Sequence, residues 1–432
     1  MAAPSSWRHC DFSEWNLTGG PWEPDPPDAR AGRSVRTSPD FAETRLARIL
    51  LPAPTACRRC HRCDRIGAAV SIGLPLEAAL SPRRLAQRRV LSARPAAALA
   101  ARLLKRPRPD IVAAAVERWQ IAPASRSEVR RARALPEQYE RIAGAEFASV
   151  DQVVRHFRGG FEAEHDATTA YRLKDALLHD GILYAGGGAR HLRRRSSAFP
   201  IALAPHEEAR MALFESWVGN RWFGNWLSDD CLTYSLAEGL GAPFTTRELK
   251  GHVPAYEHAM DMRPRRGTSA FFRELVLFDD AAHNENKRLR AEAMRRRLAG
   301  PSARRHPGVF LLRGRTGDAR ILLNERAVSE HLAQRRGFTV LDPSSATLAE
   351  IVDACGGAEV VAGVEGSHLV HGLVTMPPGA CAFVIQPPLR AVSALKLLTD
   401  RQGQDYAMVV GEGTQDAFTA DIDEIERTLD LL

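Results

Sequence analysis

In the second half of the chain, short apolar runs alternate with amphipathic stretches. The runs 309–312, 338–341, 359–363, 381–386 and 406–410 are four to six residues long, as expected of strands buried on both faces. Between them, 324–336, 347–355 and 367–374 read as helices, and 421–432 closes the chain as another. Thr347 with Glu350 forms a capping box at one helix start, and Gly337 stops the helix before it. Strands alternating with helices of this length predict a parallel, doubly wound sheet, so the fold class is α/β.

The first half is less regular. Residues 111–120 and 138–157 carry helical periodicity, broken by the polar, basic stretch 125–133. Residues 171–184 read as two strands around His179-Asp180-Gly181, because Asp-Gly readily takes positive φ. Gly186-Gly187-Gly188 and the basic run 190–195 read as loops. Residues 206–217 are expected to be helical and lead into the aromatic-rich stretch from Trp217 to Trp226. Residues 274–280 form a compact strand with acids at its end, and 286–298 a basic helix stopped by Gly300-Pro301.

Residues 1–110 differ from both. Proline and arginine are frequent and apolar periodicity is weak, so a disordered basic extension is expected. It holds 19 Lys and Arg against 10 Asp and Glu, while the other 322 residues hold 40 against 42. The overall charge of +7 is therefore a property of the extension, and the near-neutral body argues against a nucleic-acid partner. Cys57, Cys60 and Cys63 have metal-like spacing but lack a second ligand pair 12–20 residues away, so no metal is expected there. Cys231, Cys355 and Cys381 read as reduced core residues. No apolar run is long enough to span a membrane and no secretory signal is evident, so a cytoplasmic location is expected. The organisation expected is an extension (1–110), an acceptor-side α/β domain (111–298) and a ligand-binding α/β domain (299–432).

The candidate chemistry lies in the last of these. The basic turn Arg313-Gly314-Arg315-Thr316-Gly317-Asp318-Ala319-Arg320 follows one strand, and Glu365-Gly366-Ser367-His368 follows another. Strands running into Gly/Ser turns and then helices build anion sites, and arginines nearby select phosphate or carboxylate. His368 and His371, three residues apart, share one helix face.

These residues also carry a resemblance. Arg313, Arg320, Asn324-Glu325, Gly337-Phe338, Gly366, His371 and Met376-Pro377-Pro378-Gly379, in that order, resemble glycosyltransferase family 61. That family includes bacterial capsular-polysaccharide-type transferases and eukaryotic O-linked and xylan-modifying ones. Upstream, Gly224-Asn225-Trp226-Leu227-Ser228-Asp229 is similar to the family's Gly-His-Trp-Leu-x-Asp stretch. The resemblance spans roughly residues 170–411 and does not touch 1–110.

The resemblance implies a GT-B-like architecture, two Rossmann-like domains facing a cleft, and an inverting transfer from a nucleotide-sugar donor without metal or other cofactor. It implies a saccharide or lipid-linked saccharide acceptor, a role in bacterial surface polysaccharide synthesis, and work in the cytoplasm or at the inner face of the membrane. Arg313, Arg315, Arg320, Asn324, Gly366, Ser367 and His371 are then expected at the donor, and Asn225 and Trp226 at the acceptor. Asp229 is the first choice of general base and Glu365 the second. Trp217, Trp222 and Phe223 are candidates for stacking on a sugar or for core packing. Two residues depart from the family pattern. Glu365 stands where it has histidine, so this carboxylate is expected to face sugar hydroxyls or pair with an arginine. Asn225 also replaces a histidine and cannot act as a base. A relative that keeps the fold and binds glycan or nucleotide without chemistry is the alternative.

Overall fold

The structure, a computed structural model, describes residues 88–432 apart from 197–198, 301–303, 316 and 318–319. Cys57, Cys60 and Cys63 lie outside the described residues, as does most of the expected extension.

Two sheets organise the described chain. The first is a ten-stranded mixed sheet whose long members, Thr168–His179 and Ser269–Asp279, pair antiparallel from Ser269 opposite His179 to Asp279 opposite Thr169. The expected hairpin is present, with Thr168–His179 turning into Ile182–Ala185 through Asp180 (φ 47°) and Gly181 (φ 75°). The second sheet is parallel, with Thr339–Leu341, His306–Leu311, Ala358–Val364, Cys381–Gln386 and Asp405–Val410 side by side in that order. Numbered along the chain, this is the doubly wound order 2-1-3-4-5. Cys381–Gln386 is buried at every residue, because neighbours flank it and helices cover its faces. The Thr347–Glu350 capping box is formed, and Gly337 ends its helix in the left-handed conformation.

The chain from Arg130 to Arg158 crosses over to the parallel sheet. The Arg133 amide donates to the Tyr406 carbonyl at 2.8 Å, the Met408 amide donates back to Arg133 at 3.0 Å, and Phe157 stacks on Tyr406. One apolar cluster runs through both sheets, from Phe157, Trp226, Tyr256 and Val276 to Val309, Leu369, Leu373 and Tyr406. All described residues fall in one compact unit.

Several expectations are corrected. The extension does not stay unstructured to residue 110, since Arg89–Ser92 is a strand paired with Ala202–Glu207, while the Ala-rich segment Pro95–Leu104, whose composition reads as a helix, is one over Arg94–Leu103. Residues 111–120 are a short 3-10 turn, Ile111–Ala114, and a strand, Glu117–Ala122, whose partner is Thr168–His179. Within 138–157 the α-helix is Val150–Arg158, opened by a Ser149–Gln152 capping box. Residues 206–216 are not helical despite good helix formers, and a helix starts only at Trp217. Met211–Leu213 is held between Ser269–Asp279 and Ala242–Thr245, and sheet burial overrides local propensity there. A helix absent from the sequence reading, Ala394–Gln402, buries Lys396 and Arg401. Cys231, Cys355 and Cys381 are buried free thiols, as expected.

The hairpin turn gives a direct test. At Gly181 an added methyl would meet the Arg193 side chain at 2.2 Å on top of the positive φ. Gly181→Ala should cost about 1–2 kcal/mol in denaturant unfolding, the penalty of a left-handed L-residue.

Candidate functional site

In a doubly wound sheet the ligand crevice opens outside the carboxyl ends of the strands, where the strand order reverses. Here the reversal falls between His306–Leu311 and Ala358–Val364, which run directly into Arg313 and into Glu365-Gly366-Ser367. A cavity of about 1220 Å³ occupies that place. Its other wall comes from the mixed sheet, through Leu213 to Val218 and Phe278 to His283.

The turn Trp226–Asp230 is π-helical, a rare geometry that widens the helix by one residue and is frequent at functional sites. It turns Asn225 and Asp229 toward the cavity while Trp226 and Leu227 stay in the core. Asp229 Oδ1 lies 2.8 Å from Lys287 Nζ and 3.1 Å from Arg401 Nη1. Its other oxygen accepts from the Ser228 hydroxyl at 2.9 Å, and the second Arg401 nitrogen donates to the Ser228 carbonyl at 2.9 Å. Burial alone would raise the Asp229 pKa, but Lys287 and Arg401 outweigh it and hold the carboxyl well below the usual range. Lys287 also donates to the Asp280 carbonyl at 2.7 Å. The Asp280 carboxylate takes both terminal nitrogens of Arg290, at 2.9 and 2.7 Å, and the hydroxyls of Thr168 and Thr233. Burial, then Arg401 and Lys287, push His283 well below its ordinary pKa, so a neutral imidazole lines the cavity beside Asp229.

Facing this centre is a second carboxylate. Arg320 Nε lies 3.1 Å from Glu365 Oε2 and donates to the Glu365 carbonyl at 3.0 Å, while Arg390 Nη1 stands 3.8 Å from the same Oε2. All three side chains are buried and all three line the cavity. Gly366 has no room for a side chain, since a Cβ would stand 2.5 Å from an Arg313 guanidinium nitrogen. Gly224 is equally constrained, because its Cβ would meet Val370 at 2.9 Å and the Ser367 hydroxyl at 3.1 Å. The two motif stretches singled out in the sequence, 224–229 and 365–368, are thus packed on each other.

The structure brings Asn225, Asp229, Arg320, Glu365, Gly366 and Ser367 to one cavity, together with Trp217 and Trp222. Arg313 is buried behind Gly366, and Arg315 is exposed in the loop beyond it. Asn324 is turned to the backbone of Ala420, donating to its carbonyl at 2.8 Å and accepting from its amide at 3.1 Å. Its neighbour Glu325 accepts from the Arg313 and Gly314 amides at 2.7 and 2.9 Å, which pins the basic turn. His371 sits in an aromatic cluster with Phe223, His252 and Tyr256, bonded to the Tyr256 hydroxyl at 2.8 Å. Burial lowers its pKa to about 3, and His368 behaves alike, so both are neutral packing residues. Trp226 and Phe223 are core aromatics that do not line the cavity.

Sequence reasoning missed Lys287, Arg290, Arg390 and Arg401. Lys287 had a signal, as a cation on the first turn of a helix, seven residues beyond Asp280 at the end of the strand before it. Arg401 had none, since its partner is 172 positions away. Among the described residues no group of three or more His, Cys, Asp or Glu is arranged to hold a metal.

Two outcomes follow from this electrostatics. Asp229→Asn leaves two buried cations without their carboxylate and should destabilise the fold by about 3–5 kcal/mol in denaturant titration, with Asp229→Asn/Lys287→Met recovering part of it. His368 and His371 have folded pKa values depressed to about 3 from 6.5, so the unfolded chain binds protons that the folded chain refuses. Stability should be unaffected by them above pH 6.5 and fall as pH drops from 6.5 toward 3, by about 1.4 kcal/mol per pH unit for each histidine. His371→Phe should flatten this slope by about one proton.

Residues 197–383 match the sequence model of the family Glycosyltransferase 61, a span that takes in the π-helical turn, Lys287, the basic turn and Glu365 to Ser367. None of the curated proteins compared matches the chain. Among solved structures, a metal-soaked flavodiiron core from Synechocystis sp. PCC6803 aligns at 9% identity over 61% of this chain and 62% of that one, with a TM-score of 0.21, too loose a superposition to bear on function. By this match the segment 197–383 is similar to glycosyltransferase family 61, which supports a glycosyltransferase.

Proposed function

We propose that the chain moves a sugar from a nucleotide-diphosphate donor to a hydroxyl acceptor with inversion at the anomeric carbon. The two halves, 111–298 and 299–432, would act as the acceptor and donor sides of a GT-B-like pair. The observation that carries this reading is the pairing of Arg320 and Arg390 with Glu365 at the carboxyl-end crevice. Two buried guanidinium groups on one carboxylate form a ready anion site, and a diphosphate presents the same oxygens with more charge.

In this reading the donor diphosphate takes Arg320 and Arg390 from Glu365. The acceptor oxygen bonds to the anomeric carbon as the carbon–phosphate oxygen bond breaks. The electron pair leaves with the diphosphate, held by the arginines, and the acceptor proton passes to the released Glu365 carboxylate. Asp229 is the weaker base, because two cations hold it ionised. Its role is to position Asn225 and the π-helical turn at the acceptor. Trp217 and Trp222, on the cavity wall, supply faces for a sugar ring. Charge stabilisation by arginines leaves no step that requires a metal. We place the reaction in bacterial surface glycan synthesis, in the cytoplasm.

A second reading rests on the same pairing. A site already neutralised by its own carboxylate suits a relative that binds nucleotide or glycan without transferring it.

A panel of UDP- and GDP-sugars, with hydrolysis as readout and calorimetry for binding, separates the two. For a transferase, Arg320→Ala should lower kcat/KM about 10²–10³-fold. Glu365→Gln should lower kcat about 10²–10⁴-fold while tightening donor binding, since a competing anion is removed. Turnover should survive a chelator. Donor binding without hydrolysis, and without transfer to any acceptor, supports the binding protein, while no binding of any donor overturns both.

A further inference from the structure

We infer that the segment from Arg88 to Arg108 docks the protein on the surface of an anionic bilayer. Three observations carry this, and none depends on the transferase reading.

The first is an apolar ribbon facing water. Arg89–Ser92 pairs antiparallel with Ala202–Glu207, with Leu91 opposite Leu203. Side chains alternate across a strand, so Ala202 and Ala204 enter the core while Leu91 (72% exposed) and Leu203 (54%) turn outward with Ile201. The second is the helix Arg94–Leu103. Its Pro95 is buried, and Ala98 packs on a cluster holding Leu177, Ile182, Tyr184 and Phe271. The Arg94 guanidinium anchors it by donating to the carbonyls of Asp175 and Tyr184. Leu99 and Leu103, one turn apart, are left exposed, with Leu104 beside them. Neither element is folded around these leucines; the helix turns Pro95 inward and the strand only half-buries Val90 and Ser92.

The third observation is charge, and it selects the partner. Between residues 88 and 109 the sequence has seven Lys and Arg and no Asp or Glu. Exposed leucines among cations without acids are the composition of an interfacial helix, whose apolar side chains enter the headgroup boundary while its cations meet anionic lipid. A polyanion such as nucleic acid would use the cations and leave the leucines without purpose. Ten residues are far too few to span a bilayer, and no described helix is long and apolar enough to do so. The docking face adjoins the cavity, because Asp110, two residues beyond Arg108, lines it and holds Arg190 of the same wall at 3.1 Å.

The test uses the full-length chain and sedimentation with phosphatidylcholine vesicles, with and without phosphatidylglycerol. The expected result is partition onto the anionic vesicles, weak partition onto neutral ones, and release by high salt. Leu99→Gln/Leu103→Gln/Leu104→Gln should weaken partition at least tenfold, as should Arg102→Gln/Lys105→Gln/Arg106→Gln/Arg108→Gln, with thermal melts confirming that both variants fold. Leu91→Thr/Leu203→Thr serves as a second apolar variant on a separate element. No partition, or equal partition onto neutral vesicles, overturns the inference. So does full partition by both apolar variants, which assigns binding to residues 1–87. A lipid-free dimer that the leucine variants dissolve overturns it in favour of a second copy.

Discussion

The bond between Asp229 and its two cations holds the described structure to one arrangement. Asp229 lies on the π-helical turn, Lys287 on the helix Glu285–Ala299 and Arg401 on the helix Ala394–Gln402. Three segments spread over more than 170 residues must arrive together before any of the charges is compensated. Ions taken from water cost several kcal/mol each, and their attraction repays this only when geometry and further hydrogen bonds are right. Both conditions are met here by Ser228, which gives its hydroxyl to Asp229 and its carbonyl to Arg401, and by the Asp280 carbonyl on Lys287. The centre thus gives registry more than stability. It fixes which way the widened turn faces, and so which side chains between 225 and 229 reach the cavity.

The two carboxylates of the cavity are held by different means, and environment separates their uses. Asp229 holds Lys287 and Arg401 at hydrogen-bond distance, and they keep it ionised although the Asp280 carboxylate also lies in their field. Glu365 shares Arg320 and Arg390, which stand at the crevice where an incoming anion would bid for them. A charge that can be displaced suits chemistry, and one that cannot suits architecture. Glu365 is also one of the two residues, with Asn225, that depart from the pattern the sequence resembles, and its departure sets an anion inside the crevice.

Much of the parallel sheet was legible because its inner strands are buried on both faces and carry that burial as unbroken apolar runs, while the edge strand Thr339–Leu341 stays partly exposed. The capping box at Thr347 and the stop at Gly337 are local signals and stood where expected. The mixed sheet was harder to read. Residues 206–213 hold good helix formers, and only the parallel neighbours of Met211–Leu213 turn them into strand. Asp229 and Glu365 were singled out through a resemblance in order and spacing, and the fold places both at one cavity. Their partners were not, because Lys287 and Arg401 are ordinary helix cations until the fold places them. Asn324 and His371 show the converse, motif residues whose polar atoms serve a backbone and an aromatic cluster.

The shared core limits how this site can work. Trp226 and Tyr256 belong to the same apolar cluster as Val309, Leu369 and Tyr406, so a hinge between the halves would expose side chains from both sheets. At roughly 1.5–3 kcal/mol for each large apolar side chain returned to water, opening even a few would consume a small domain's stability. Arg133 and Met408 tie the crossing segment to the edge of the parallel sheet by backbone hydrogen bonds, which resist the same motion. Under the proposed transfer, exchange of Glu365 for a diphosphate would fall to side chains at the crevice, beside the basic turn that starts at Arg313. That turn is pinned at its start by Glu325 and at its end by Arg320 on Glu365.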